Sequence, residues 1–234
     1  MTKSIIYYTD NNIDDEILLR VQSQLVKSGL PIVSVSLRPI NFGENIVLDK
    51  LTRSYPTMVT QIVTALEHSN SEIVFFCEHD VLYHPSRFDF TPARKDIYYY
   101  NSNIWRWDYP YDRVIRYDRL ISLSGLCVYR ELVLAHYWKR LKRIQLIKAK
   151  NDGGEPSWVR KMGYEPGTKK KKRGGFSDED FETWSSKYPD IDIRHKGTFS
   201  PPKVTLESLN IFLQVGRKRK HRRYYGTKHI DPGP

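Results

Sequence analysis

The sequence predicts an α/β domain built on a mostly parallel sheet flanked by helices, and three observations carry this. From residue 4 to residue 80, short apolar runs alternate with stretches of helical period. One run, Ile73 to Cys77, is apolar without a break, as expected of a strand buried on both faces. The 234 residues, 39% hydrophobic and 13% aromatic, suffice for one large α/β domain or two small ones.

Ser4 to Thr9 (SIIYYT) reads as the first strand, ending in Asp10-Asn11-Asn12. A polar strand end that opens into a helix is where α/β proteins bind nucleotides. Neither a Walker A loop nor a Gly-rich dinucleotide fingerprint is present. Asp14 caps a helix from Asp15 to about Ser28, with Leu18, Val21 and Leu25 inward and Gly29 as the stop. Ile32 to Leu37 is a second strand, and Arg38 to Leu48 a loop. Pro56 suits the first turn of a second helix, with Val59, Ile62, Val63 and Leu66 on one face. The central strand then makes the order βαβαβ, which implies right-handed parallel crossovers.

Glu78, His79 and Asp80 follow the central strand at once. Ligands sit beyond the carboxyl ends of such strands. In extended backbone residues i and i+2 share a side, so Glu78 and Asp80 are expected to face one site with His79 turned away. Two carboxylates there suit magnesium or manganese and a phosphate-bearing substrate. Alternatively they are ordinary loop acids at a strand end.

Further on, Pro85 to Arg94 is a loop and Asp96 to Tyr100 a strand. Asn101 to Asp118 holds Trp105, Trp107, Tyr109, Tyr111 and Tyr117 among Arg and Asp, suiting either stacking on a sugar or base or a patch over the core. Ile121 to Tyr129 is a strand, and Arg130 to Ile147 a long helix. That helix is expected to bury Leu134, Tyr137, Trp138 and Leu141 and to turn its Lys and Arg to water. Phe176 to Trp184 is acid-rich and reads as opening a helix, Asp190 to His195 is a last strand, and Leu206 to Leu213 is one more apolar element.

Net charge is +11, concentrated in Lys169 to Arg173 and Arg217 to Arg223. Such blocks attract nucleic acid or anionic headgroups, or are solvated tails. Cys77 and Cys127 lie in apolar runs and read as buried free thiols of a reducing compartment. There is no apolar run of about 20 residues, and the N-terminal apolar stretch is too short for a secretory signal. A cytoplasmic protein is expected.

On these residues the chain resembles GT-A-type glycosyltransferases, in element order over roughly residues 4 to 198. The first strand ends in Asp10, where such enzymes hold the nucleoside. Glu78-His79-Asp80 is similar to the family's DxD motif with Glu in the first place. Gly175 to Asp180 resembles the place of an acidic catalytic base, and His195 matches the place of a metal-binding His. The resemblance implies a GT-A-like, Rossmann-like single domain. Its catalytic part would be residues 1–200, with a lid at 148–175, and residues 201–234 would form a C-terminal element and basic tail.

By the same resemblance Thr9, Asp10, Asn11, Glu78 and Asp80 bind the nucleotide-sugar. Asp80, His195 and Glu78 serve Mn2+ or Mg2+, with Asp80 the more direct ligand because Glu is longer. Asp180 or Glu179 is the general base of an inverting transfer. The acceptor is a hydroxyl, on a modified base in DNA or on a membrane-associated, lipid-linked glycan. The alternatives are a nucleic-acid-binding protein that needs no metal and a metal-dependent nuclease using Asp80 and His195. A nucleotidyltransferase would be expected to carry a Gly-rich, Arg-containing N-terminal loop, which is missing.

Overall fold

The computed structural model describes residues 1–108, 113–117, 121–150, 165–168, 181–195 and 222–224. Strand β1 (Lys3–Thr9) leads into helix α1 (Asp15–Val26). Asp14 caps α1 by accepting from the Glu16 N–H at 2.9 Å, and Gly29 takes φ +67° just beyond its end. Ile17, Val21 and Leu25 are the buried stripe, so Ile17 replaces the expected Leu18, which is half-buried. Strand β2 (Ile32–Ser36) follows, then β3 (Glu44–Val47). The expected loop at 38–48 thus contains a strand. Gly43 allows it: at φ +63°, a Cβ there would meet Ile32 O and stand 2.8 Å from Ile32 Cβ. Helix α2 (Tyr55–His68) is capped by Ser54, which accepts from the Thr57 N–H at 3.1 Å. The central strand is β4 (Ile73–Glu78), and a two-residue turn leads to β5 (Val81–Leu82).

The second half supplies β6 (Tyr98–Asn101), β7 (Ile104–Asp108), β8 (Arg113–Tyr117), β9 (Leu126–Tyr129) and α3 (Arg130–Lys150). It ends with β10 (Phe181–Trp184), β11 (Asp190–Arg194) and β12 (Arg222–Tyr224). Two sheets form, of order β10-β6-β9-β4-β1-β2-β3 and β12-β8-β7-β11-β5. In the first, every pairing is parallel except those of β9 with β4 and β6. This is the expected mostly parallel sheet flanked by helices. One face packs under α2 and α3, with Ile6, Val35, Phe76, Val59, Ile62 and Tyr137 fully buried between them. The other packs under α1 and the smaller sheet, through Ile5, Phe75, Cys77, Val81 and Ile193. Cys77 and Cys127 are buried and unpaired.

Further expectations change. Residues 123–125 form a 3₁₀ turn, so the strand there is only Leu126–Tyr129. Trp138 is 38% exposed, and the buried positions of α3 include Val133, His136 and Ile144. Arg140 does not face water: it is 1% exposed and donates to Tyr55 Oη at 2.9 Å. Residues 181–184 are a strand beside β6 where a helix was expected. Of the expected lid, residues 148–150 continue α3 and Glu165–Thr168 is a turn, tied by Tyr100 Oη donating to Pro166 O at 2.6 Å. The remainder of the lid, both basic blocks apart from the backbone of Arg222 and Arg223, Tyr109, Tyr111 and Leu206–Leu213 lie outside the described residues. No helix among the described residues is long and apolar enough to cross a membrane.

Candidate metal centre and cleft

The carboxyl ends of β1 and β4 lie side by side, with Tyr8 aligned with Glu78. A cleft of about 570 Å³, counted with its open mouth, lies there. Thr9, Asp10, Glu78, His79 and Asp80 line it from the strand ends, and Arg53, Ser54, Thr57, Met58 and Gln61 from the start of α2. Gln61 anchors that wall by donating from Nε2 to Thr9 O at 2.7 Å.

Extended backbone stops at Glu78, and the chain turns at His79 and Asp80. Alternation therefore fails at the residue where it was applied, and His79 is turned toward Asp80, not away. His195 arrives from the smaller sheet. Antiparallel pairing sets Asp192 against Val81 and Ile191 against Leu82, and the Ile193 N–H donates to Asp80 O at 2.8 Å. His195, one residue past β11, thereby comes to Asp80, with Nε2 3.8 Å from Oδ2. One ligand atom each from His79, Asp80 and His195 lies within 4.8 Å of the others.

Bound at about 2.0–2.2 Å, ligands of one ion stand roughly 3–4 Å apart, so a small closure suffices. The donor set fits as well. His79 Nδ1 lies 2.5 Å from Thr9 Oγ1 and 3.8 Å from Asp10 Oδ1. With its proton on Nδ1, the ring is oriented by these groups and keeps the Nε2 lone pair for a metal. Burial holds the His79 pKa below the ordinary histidine value, which keeps the imidazole neutral. Burial pushes Asp80 upward, but contact with His195 and the Arg194 charge outweigh it, so its carboxyl titrates below its usual value and stays ionised. These are the protonation states a metal requires.

Glu78 is placed differently. Its Oε1 accepts from Tyr8 Oη at 2.6 Å, and its backbone N–H donates to Tyr83 Oη at 2.9 Å. Burial, then the nearby Asp80 charge, push its pKa up to about 8. It lines the cleft beside the His79–Asp80–His195 group. Asp10 also lines the cleft, paired with the Arg53 guanidinium. Asn11, at φ +59°, spends its side chain on the scaffold: Oδ1 accepts from the N–H groups of Leu37 at 2.8 Å and Arg38 at 2.9 Å. Glu179 and Asp180 lie outside the described residues.

Two groups escaped the sequence reading. Arg53 and Gln61 enter the cleft through the capped start of α2, and the Ser54/Pro56 helix start was the available signal. Beneath the centre, Arg87 is fully buried. It pairs with Asp190 at the head of β11, and its Nη2 donates to Phe76 O at 3.2 Å and Ser124 O at 2.7 Å. Asn101 Nδ2 also donates to Asp190, at 2.8 Å. This network ties β11, which leads to His195, to β4, which leads to His79 and Asp80. Nothing in the local sequence of Arg87 marks it.

No family model and no curated protein sequence matches the chain. Solved structures of similar chain path include a glycosyltransferase involved in the glycosylation of the major capsid of PBCV-1. It is 8% identical with a TM-score of 0.47, over 82% of this chain and 92% of that one. The bifunctional IspDF from Campylobacter jejuni is 14% identical with a TM-score of 0.43, over 80% of this chain and 50% of that one. S. aureus TarS 1-349 in complex with UDP is 10% identical with a TM-score of 0.43, over 83% of this chain and 61% of that one.

Proposed function

We propose that the protein is a metal-dependent glycosyltransferase that moves a sugar from a nucleotide-sugar to a hydroxyl acceptor. The observation that carries this reading is the His79–Asp80–His195 group at the carboxyl ends of β4 and β11, opening on a cleft walled by β1 and α2. Asp10, Thr9 and Glu78 are the polar edge on which a nucleoside would be fixed. His79, Asp80 and His195 would hold Mn2+ or Mg2+. Such an ion supplies positive charge to the diphosphate that departs. Two imidazoles with one carboxylate favour manganese over magnesium, whose ligands are preferentially oxygen. On the family resemblance, Asp180, with Glu179 beside it, takes the acceptor proton in an inverting transfer. Acceptors of two kinds fit the charge of the chain, a modified base in DNA and a membrane-associated glycan.

The test is thermal unfolding with Mn2+ and UDP-, GDP-, ADP- and CMP-linked sugars, for the native chain and Asp80→Ala. A donor that binds the folded state raises the midpoint with the logarithm of its concentration. One donor class should raise it in the presence of Mn2+, and Asp80→Ala should abolish the effect. No shift with any donor, together with Mg2+-dependent cleavage of DNA, would replace this reading with a nuclease.

A further inference from the structure

Helix α3 packs inward through Val133, Tyr137, Leu141 and Ile144. Its outer face is unusual in two respects. Trp138 is 38% exposed and Leu146 63% exposed, and both lie on the line of Lys142, at spacings of four residues. Exposed Lys139 and Arg143 form a second row beside it. The second respect is the absence of acids. None occurs from Leu132 to Lys150, whereas the exposed face of α1 carries the Glu16–Arg20 pair at 2.8 Å. A solvated helix face ordinarily interleaves both signs.

We propose that this face of α3 docks the protein on an anionic lipid surface. A helix lying in the interface buries Trp and Leu into the headgroup boundary while Lys and Arg reach the phosphates around them. Each residue then has a role that water alone does not give it. Leu146 decides between partners. A nucleic acid offers phosphate to the cations and a stacking face to Trp138, but it has nothing for an exposed aliphatic side chain, whereas the acyl boundary takes it.

The placement also suits the cleft. The Arg130 N–H donates to Glu72 O at 2.9 Å, at the opposite end of the sheet from the cleft. Arg140 bonds Tyr55, the residue after Ser54 of the cleft wall. The helix thus runs toward the cleft end, and Leu146 lies beyond Arg140. Docking along α3 brings the cleft beside the lipid surface, where a lipid-linked or membrane-bound acceptor would be presented. The docking stands without the catalytic reading.

The experiment is co-sedimentation of the full chain with vesicles of phosphatidylcholine alone and of equal parts phosphatidylcholine and phosphatidylglycerol. Native protein, Trp138→Ala/Leu146→Ala and Lys139→Gln/Lys142→Gln/Arg143→Gln are compared, with a duplex DNA oligonucleotide as competitor ligand. All five side chains are exposed, so unchanged unfolding midpoints confirm that the variants fold. The native chain should partition onto the anionic vesicles only. The charge variant should lose roughly 100-fold, at about fivefold per cation, and the apolar variant about tenfold or more. Native-like binding by either variant would overturn the proposal, since the basic blocks elsewhere would then account for it. So would loss of DNA binding in the charge variant with vesicle binding intact, which would make the face a nucleic-acid contact.

Discussion

His79 joins the site that strand alternation turns it away from, while Glu78 stays in the cleft wall. This follows from where β4 ends, because alternation applies only while the backbone is extended and the turn begins at His79. Two expectations follow at this scale. Thr9→Val removes the hydroxyl that orients His79, and should weaken Mn2+ binding by about 10–100-fold with little change in the unfolding midpoint; isothermal calorimetry measures it. Acidification should also release the ion, because a protonated imidazole cannot ligate. The lowered pKa of His79 places its share of that loss below the ordinary imidazole value of about 6.5, and the lowered pKa of Asp80 means the carboxylate is lost later still. Mn2+ affinity measured across pH should therefore fall as the solution is made acid. Affinity that rises as pH falls would exclude imidazole ligands.

At the scale of elements, the centre depends on two strands from different sheets held in register by a buried ion pair. Arg87→Met leaves the Asp190 carboxylate buried without its cation and should cost about 3–5 kcal/mol in denaturant unfolding. The double replacement Arg87→Met/Asp190→Leu removes both charges and should cost less than either single change. Gly43→Ala should destabilise by more than about 1 kcal/mol, because a side chain at φ +63° is strained and would press on Ile32 as β3 pairs with β2. Strands β1, β2 and β4 of the main sheet were legible because each is rich in apolar residues and buried on both faces. Of the smaller sheet only β11 was, as the expected strand at 190–195. Its strands mix Trp105 and Trp107 with Arg106 and Asp108, and the partner of β7 is β11, with Asp190 set against Ile104. Local patterning holds no record of so distant a pairing. β3 is four residues of moderate burial and carries a weak signal for the same reason.

The molecule as a whole brings three chain regions to one end of the main sheet: the β1 terminus, the β4 turn and the end of β11. Asp80 and His195 could be paired from sequence because each ends a strand, and the resemblance to GT-A enzymes placed them together. His79 could not, since its part depends on the turn geometry. The central claim is that the ion is held by His79, Asp80 and His195 and not by the acid-x-acid pair of the triplet. Calorimetric titration of Mn2+ into the native chain, His79→Ala and Glu78→Gln tests it most directly. His79→Ala should lose about tenfold or more in affinity, while Glu78→Gln, whose side chain is turned to Tyr8, should bind as the native chain does. Loss in Glu78→Gln with native affinity in His79→Ala would contradict the account and return the metal to the two carboxylates.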